Sequence, residues 1–130
     1  RYHKDLWLYE RCIKTVAFAD QILWVEFPEL CRIPRSQSDY LALARRYPTL
    51  ILSKLRTIRS DETNLARYLI NLIDILYDQK IKLILSSSVA LDDLYAAGEL
   101  SFEFKRTLSR LQEMQSEAYL ASTRAYEKRT

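Results

Sequence analysis

A chain of 130 residues has room for one modest hydrophobic core, and 48% hydrophobic with 28% charged residues is globular usage rather than the composition of a disordered segment. The net charge of +3 is slight and the basic residues are scattered among acids, so charge gives no argument for nucleic acid. The most apolar helical run, 68–77, is too short to cross a bilayer and carries Asn71 and Asp74.

Cys12 and Cys31 lack C-x-x-C spacing, and His3 is the single histidine, so neither a disulfide framework nor a metal site is expected and the cysteines read as reduced buried thiols. The only methionine is Met114, so Arg1 is no initiator and the chain is expected to start partway along a longer protein. Its start, RYHKDLWLYERC, is charged and has no apolar signal segment. The one glycine is Gly98. A phosphate-cradling loop needs several glycines for close backbone approach, so neither G-x-G-x-x-G nor G-K-[ST] can be written here.

In chain order, residues 1–11 mix charge and aromatic side chains without a period and read as the tail of a helix. Residues 13–18 and 22–27 are β-branched and aromatic and flank Ala19-Asp20-Gln21, which predicts an N-terminal β-hairpin. Pro28 ends its second strand, since proline offers no ladder donor. RIPRSQSDYLALARRY predicts a loop and then a helix capped by Ser36 or Ser38, with Asp39 in the first turn. Its apolar stripe is Tyr40, Leu43, Ala44 and Tyr47, and Pro48 stops it.

Residues 49–53, TLILS, form the continuous apolar run of a fully buried strand. After the basic connection KLRTIRSDET, the strongest helix pattern runs on Leu65, Tyr68, Leu69, Leu72, Ile73, Leu76 and Tyr77, with Ser60 or Asp61 as cap. Ile70 and Ile75 lie off that stripe and call for cover on more than one side. Residues 81–87, IKLILSS, predict a second buried strand, which makes a βαβ unit with a parallel pair and a right-handed crossover. One long helix is expected over 102–127. The fold class is therefore α/β in a single domain over 1–130: a βαβ unit with parallel strands plus an N-terminal β-hairpin, closed by a long C-terminal helix.

Arg106 and Arg110 stand four residues apart in a helix-forming run, so both guanidinium groups can face one way. Two readings are open. Glu103 and Glu113 can flank the pair in a surface ion ladder, or the pair can hold an anion, for which arginine's planar, permanently charged fork suits phosphate. Asp74 lies in an otherwise apolar helix and needs a cation such as Arg67 or Lys82. Asp92 and Asp93 begin a short helix, where capping explains them better than a metal does. Ser86-Ser87-Ser88 ends a parallel strand, where α/β sheets place ligand-facing groups.

The blocks ILWVEFPELC, PRSQSDYLALARRYPTLILS, LIDILYDQKIKLILSS and FEFKRTLSRLQEMQSEAYL, in that order, resemble the C-terminal region of the ZapE-type cell-division ATPases, the bacterial branch of the AFG-one-like AAA+ P-loop ATPases. The resemblance runs from about residue 15 to residue 120. It implies that the Walker A and Walker B segments lie upstream, so that ATP and Mg belong to the full-length parent and this portion alone binds neither. The family's terminal signature survives as Phe102, Glu103, Phe104, Arg106, Ser109, Arg110, Leu111, Glu113, Met114, Gln115 and Ser116. By analogy with related AAA+ proteins it implies that Arg110, and less so Arg106, is an arginine finger or sensor, a role worth roughly 10³–10⁵ in rate.

Two departures stand out. Lys54-Leu55-Arg56 replaces the family's usual Asp-Val-Pro, and the paired arginines before Phe become Arg67 and Tyr68, so Arg67 alone carries over as a weaker candidate. The resemblance further implies a bacterial, cytoplasmic hydrolase that remodels or regulates a tubulin-like division-ring protein. The upstream ATPase half would be its first partner, a homo-oligomer its possible assembly, with no nucleic acid and no membrane span. The alternative is a non-catalytic protein–protein interaction module whose basic connection KLRTIRS and Tyr-rich surface dock a client or neighbouring subunit.

Overall fold

The structure is a computed structural model that describes residues 2, 4–8, 11–32 and 35–125. Its elements run β1 (Asp5–Leu8), β2 (Arg11–Lys14), β3 (Ala17–Phe18), β4 (Ile22–Glu26), α1 (Gln37–Arg46), β5 (Thr49–Leu55), α2 (Thr63–Asp78), β6 (Lys82–Ser87), α3 (Ser101–Glu113) and α4 (Glu117–Ser122). β1 and β2 form their own antiparallel hairpin, and the main sheet has four strands in the order β3-β4-β5-β6. β3 is antiparallel to β4, while β4, β5 and β6 run parallel. The α/β class expected from the patterning is the one observed.

Each parallel strand joins beside the one before it, in one direction. Right-handed crossovers then put both connecting helices on the same face. On that face the register aligns Leu23 with Leu50 and Leu83, and Val25 with Leu52 and Leu85. Tyr40, Leu43, Ala44 and Tyr47 of α1 and Leu65, Leu69, Leu72, Ile73 and Leu76 of α2 join Leu23, Val25, Leu50 and Leu52 in one buried core, with Leu83 and Leu85 part-buried against it. α3 follows alongside, with Leu111 and, just past its end, Met114 facing Leu83 and Leu85. Cover by α1, the sheet and α3 explains why Ile70 and Ile75, off the main stripe of α2, are also part-buried against the core.

Short-range chemistry sets the helix ends. Ser36 Oγ accepts from the Asp39 N–H at 3.2 Å and Asp39 Oδ2 accepts from the Ser36 N–H at 3.0 Å, a capping box that starts α1. The Tyr40 hydroxyl donates to the Leu30 carbonyl at 2.5 Å, tying α1 to a π-helical turn over Pro28–Arg32. At the end of α2 the Ile81 N–H bonds the Leu76 carbonyl and the Lys80 N–H bonds the Tyr77 carbonyl. In this motif Lys80, at φ 55°, takes the left-handed position that glycine often fills.

Several expectations are corrected. Residues 5–8, read as part of a helix tail, are a strand paired with β2, Trp7 opposite Cys12. The predicted strand 13–18 changes partner at Thr15 and Val16, so its first part pairs with β1 and its last two residues with β4. The strand expected over 81–87 begins at Lys82 and, apart from the buried Ile81 before it, is not buried: β6 is the sheet edge, and its residues are half-buried or exposed. The long C-terminal helix breaks at residues 114–116, because Ser116 Oγ accepts from the Tyr119 N–H and caps a new helix. Neither Ser60 nor Asp61 caps α2, whose N-cap is Glu62. His3 and residues 126–130 lie outside the described residues.

Glu62 closes the β5–α2 connection. Its Oε1 accepts from Arg56 Nη1 at 2.8 Å and from the Arg59 N–H at 2.9 Å, and its Oε2 accepts from Arg56 Nη2 at 2.9 Å. The hydrogen bonds from Arg56, then that from the Arg59 backbone, hold its carboxyl at about 2 instead of the ordinary 4.5, against the upward push of burial. A carboxyl depressed in the folded state adds stability that is complete above about pH 4.5 and lost as pH falls toward 2. Thermal melts across that window are expected to fall with pH, and Glu62→Gln is expected to flatten the fall. Parallel slopes for the two proteins would show that Glu62 does not carry it.

Candidate functional site

α2 and α3 lie side by side and run the same way: Asp74 stands beside Arg106 and Arg110, and Tyr77, one turn on, beside Glu113. Arg110 Nη1 donates to Asp74 Oδ1 at 2.5 Å, and Arg106 Nη2 donates to Asp74 Oδ2 at 3.3 Å. The Arg110 guanidinium also lies over the Tyr77 ring, 4.8 Å from its centroid. The Tyr77 hydroxyl donates to the Glu113 carboxylate, and this bond, before burial and the Glu113 charge, pushes the phenol above its ordinary range. Tyr77 stacks on Tyr119 at 5.8 Å, with the Lys80 ammonium over both rings.

The two guanidinium groups are thus held differently. Arg110 is ion-paired and stacked, and its side chain is 23% exposed. Arg106 keeps one longer contact and is 66% exposed. One carboxylate serves two cations, so the trio carries an excess positive charge on the surface. That arrangement can receive an anion at Arg106 while Arg110 stays fixed.

This differs from both sequence expectations for the pairing. The compensating acid is Asp74 of the neighbouring helix, while Glu113 is engaged by Tyr77 and Glu103 is exposed. Asp74 meets neither Arg67 nor Lys82. Arg67 is exposed on α2, two turns and about 10 Å along the axis before Asp74, and Lys82 opens β6. The two halves of the signal were present: an acid in an apolar helix, and two arginines on one helix face. Separations of 32 and 36 residues gave no reason to join them.

The remaining candidates are placed as follows, and the capping expected of Asp92 and Asp93 is not made. The basic connection is largely ion-paired, with Arg56 bidentate to Glu62, Arg59 beside Asp61 at 3.3 Å and Lys54 paired with Glu26 of β4. Asp92 and Asp93 sit in a single 3-10 turn whose N-cap is Ala90, without a side-chain cap bond. Ser87 Oγ donates to the Val89 carbonyl at 2.8 Å and Ser88 Oγ to the Leu55 carbonyl at 3.3 Å. With Ser86 they line a broad open concavity of about 1240 Å³ at the carboxyl ends of the parallel strands. Cys31 is buried, which pushes its thiol up, and Cys12 is half-buried.

The single glycine, Gly98, forms no glycine-rich phosphate loop. Gly98 serves packing: a Cβ there would meet the Tyr95 hydroxyl at 2.3 Å and the Ser60 carbonyl at 3.1 Å, and its N–H donates to Ser101 Oγ. Among the described residues no group of three His, Cys, Asp or Glu side chains could hold a metal ion, and no helix is long and apolar enough to cross a membrane.

Comparison with known proteins gives a consistent answer. The family model described as AFG1-like ATPase matches residues 2–123. Cell division protein ZapE of Escherichia coli (strain K12) is 43% identical over 110 residues, which cover 85% of this chain and 29% of that protein. An uncharacterized Schizosaccharomyces pombe protein is 31% identical over 149 residues, covering 92% of this chain and 33% of its own length. Lactation elevated protein 1 homolog B of Danio rerio is 30% identical over 128 residues, covering 74% of this chain and 25% of its own. The chain therefore spans about a third or less of the curated relatives it matches. No solved structure matches it. A family model that takes in nearly the whole sequence, the signature helix α3 included, places this chain in the AFG1-like ATPase family.

Proposed function

We propose that these 130 residues are the C-terminal portion of a longer P-loop ATPase. That parent hydrolyses ATP with Mg in the bacterial cytoplasm and remodels or regulates the tubulin-like protein of the division ring. Family membership, the greater length of the relatives and the cell-division name of the Escherichia coli relative support this. The observation that carries it is the Asp74–Arg106–Arg110 trio, which leaves an exposed guanidinium on the signature helix.

In this proposal Arg106 presents its charge to a nucleotide phosphate held elsewhere in the parent or by a neighbouring subunit of a homo-oligomer. Arg110 and Asp74 set its position, with Tyr77 beneath. Arg67, exposed on the same stripe of α2 as Asp74, extends the positive edge and ranks below the other two.

In the longer ATPase, Arg106→Ala is expected to lower kcat by about 10²-fold or more with an unchanged melting temperature. Arg110→Ala is expected to lower both, since it removes an ion pair and the contact with Tyr77. If both variants keep kcat within about twofold of the parent, the phosphate role fails and the pair is only a tie between α2 and α3. Asp74→Asn separates positioning from support: turnover and melting temperature are expected to fall together, with Asp74→Glu restoring part of the turnover. A fall in melting temperature alone would make Asp74 purely structural. The 130-residue chain by itself is expected to turn over no ATP, and hydrolysis by the purified chain would overturn this division of labour.

A further inference from the structure

The face of the sheet turned away from α1, α2 and α3 has a side-chain row of its own. Ala17, Trp24, Ile51 and Ile84 are register partners across β3, β4, β5 and β6. Ile22, Thr49 and Lys82 make the next row on one side, and Glu26 pairs with Ser53 on the other. Trp24 Nε1 donates to Ser53 Oγ at 2.9 Å, which satisfies the indole's polar edge within the face and leaves its ring as apolar surface. Ile22 and Ile84 are 43% and 44% exposed. At the rim Lys54 pairs with Glu26 at 2.8 Å. An apolar middle inside a polar rim is the anatomy of a protein interface.

Topology says what kind of surface should sit there. Parallel sheets are normally covered on both faces, yet the one-way advance of β4, β5 and β6 puts every crossover helix on one side. The second layer of such a sheet has to come from chain that does not lie between these strands. The relatives have ample length for it, since the match covers 29% of the Escherichia coli protein.

We propose that the bare face is the seat of the rest of the ATPase: a helical layer of the same polypeptide laid with its apolar stripe along the Trp24–Ile51–Ile84 row. This rests on the proposal that the chain belongs to a longer P-loop ATPase. The seated layer would hold the whole sheet, and with it α3 and its arginines, in a fixed relation to the nucleotide.

The test places Ile22→Lys and Ile84→Lys, separately, in the longer ATPase and in the 130-residue chain. In the longer protein each is expected to lower the melting temperature by about 5 °C or more and to reduce ATP turnover. In the shorter chain, where the face meets water, the shift is expected to be about 2 °C or less. Equal shifts in the two proteins would overturn the proposal. So would sedimentation showing that the shorter chain dimerises and that Ile84→Lys makes it monomeric, which would assign the face to a second copy. If a lysine variant of the longer protein does not fold, Ile84→Thr gives the same comparison with a smaller perturbation. A longer wild-type protein without ATP turnover would defeat the ATPase proposal alone, since the melting comparison still decides what covers the face.

Discussion

Handedness is the constraint on which the rest of this molecule depends. A right-twisted strand followed by a right-handed helix packs back on its sheet in only one sense. Because β4, β5 and β6 are added in one direction, α1 and α2 must share a face, and α3 continues the layer beside α2. Two consequences follow from this one rule. Asp74 of α2 is brought against Arg106 and Arg110 of α3, and the opposite face of the sheet is left without a helix from this set.

The contact between α2 and α3 shows how one carboxylate can treat two arginines unequally. Exposed ion pairs add roughly 0–1 kcal/mol, because water screens them and long side chains lose freedom. Arg59 with Asp61, at 69% and 75% exposed, is of that kind. Arg35 with Glu29 is the opposite extreme, at 4% and 15%, with Arg35 Nε also donating to the Glu29 carbonyl at 2.9 Å. The Asp74 trio lies between them. Arg110 is held by charge, by a hydrogen bond and by the Tyr77 ring, so little freedom remains to be lost there. Arg106 is held by one long contact and can exchange it for another anion at small cost.

The two faces of the sheet therefore divide the labour. One buries the leucines of β4 and β5 under α1 and α2 and sets the arginines through α3. The other carries the apolar row Ala17, Trp24, Ile51 and Ile84 with Ile22 beside it, and has Lys82 and Glu26 toward its margins. Membership of the AFG1-like ATPase family gives both a context, since the relatives extend far beyond the part matched here.

Much of this was readable in the residues. Period and caps placed α1 after Ser36 or Ser38 and before Pro48, the stripe of α2 was plain, and the runs of β4 and β5 were recognisable as strands because their order matters only to near neighbours. The single glycine ruled out a phosphate loop before any coordinates, since that chemistry is a matter of backbone approach. What the tertiary structure decided is which element stands at an edge and which charges meet. β6 has the composition of a buried strand and is the edge, because nothing local states how many strands follow. The period of the terminal run continues past Met114, yet a serine hydroxyl starts a new helix there. Asp74 finds its partners 32 and 36 residues away, a choice made by the crossover that sets α3 beside α2, which no window of sequence contains.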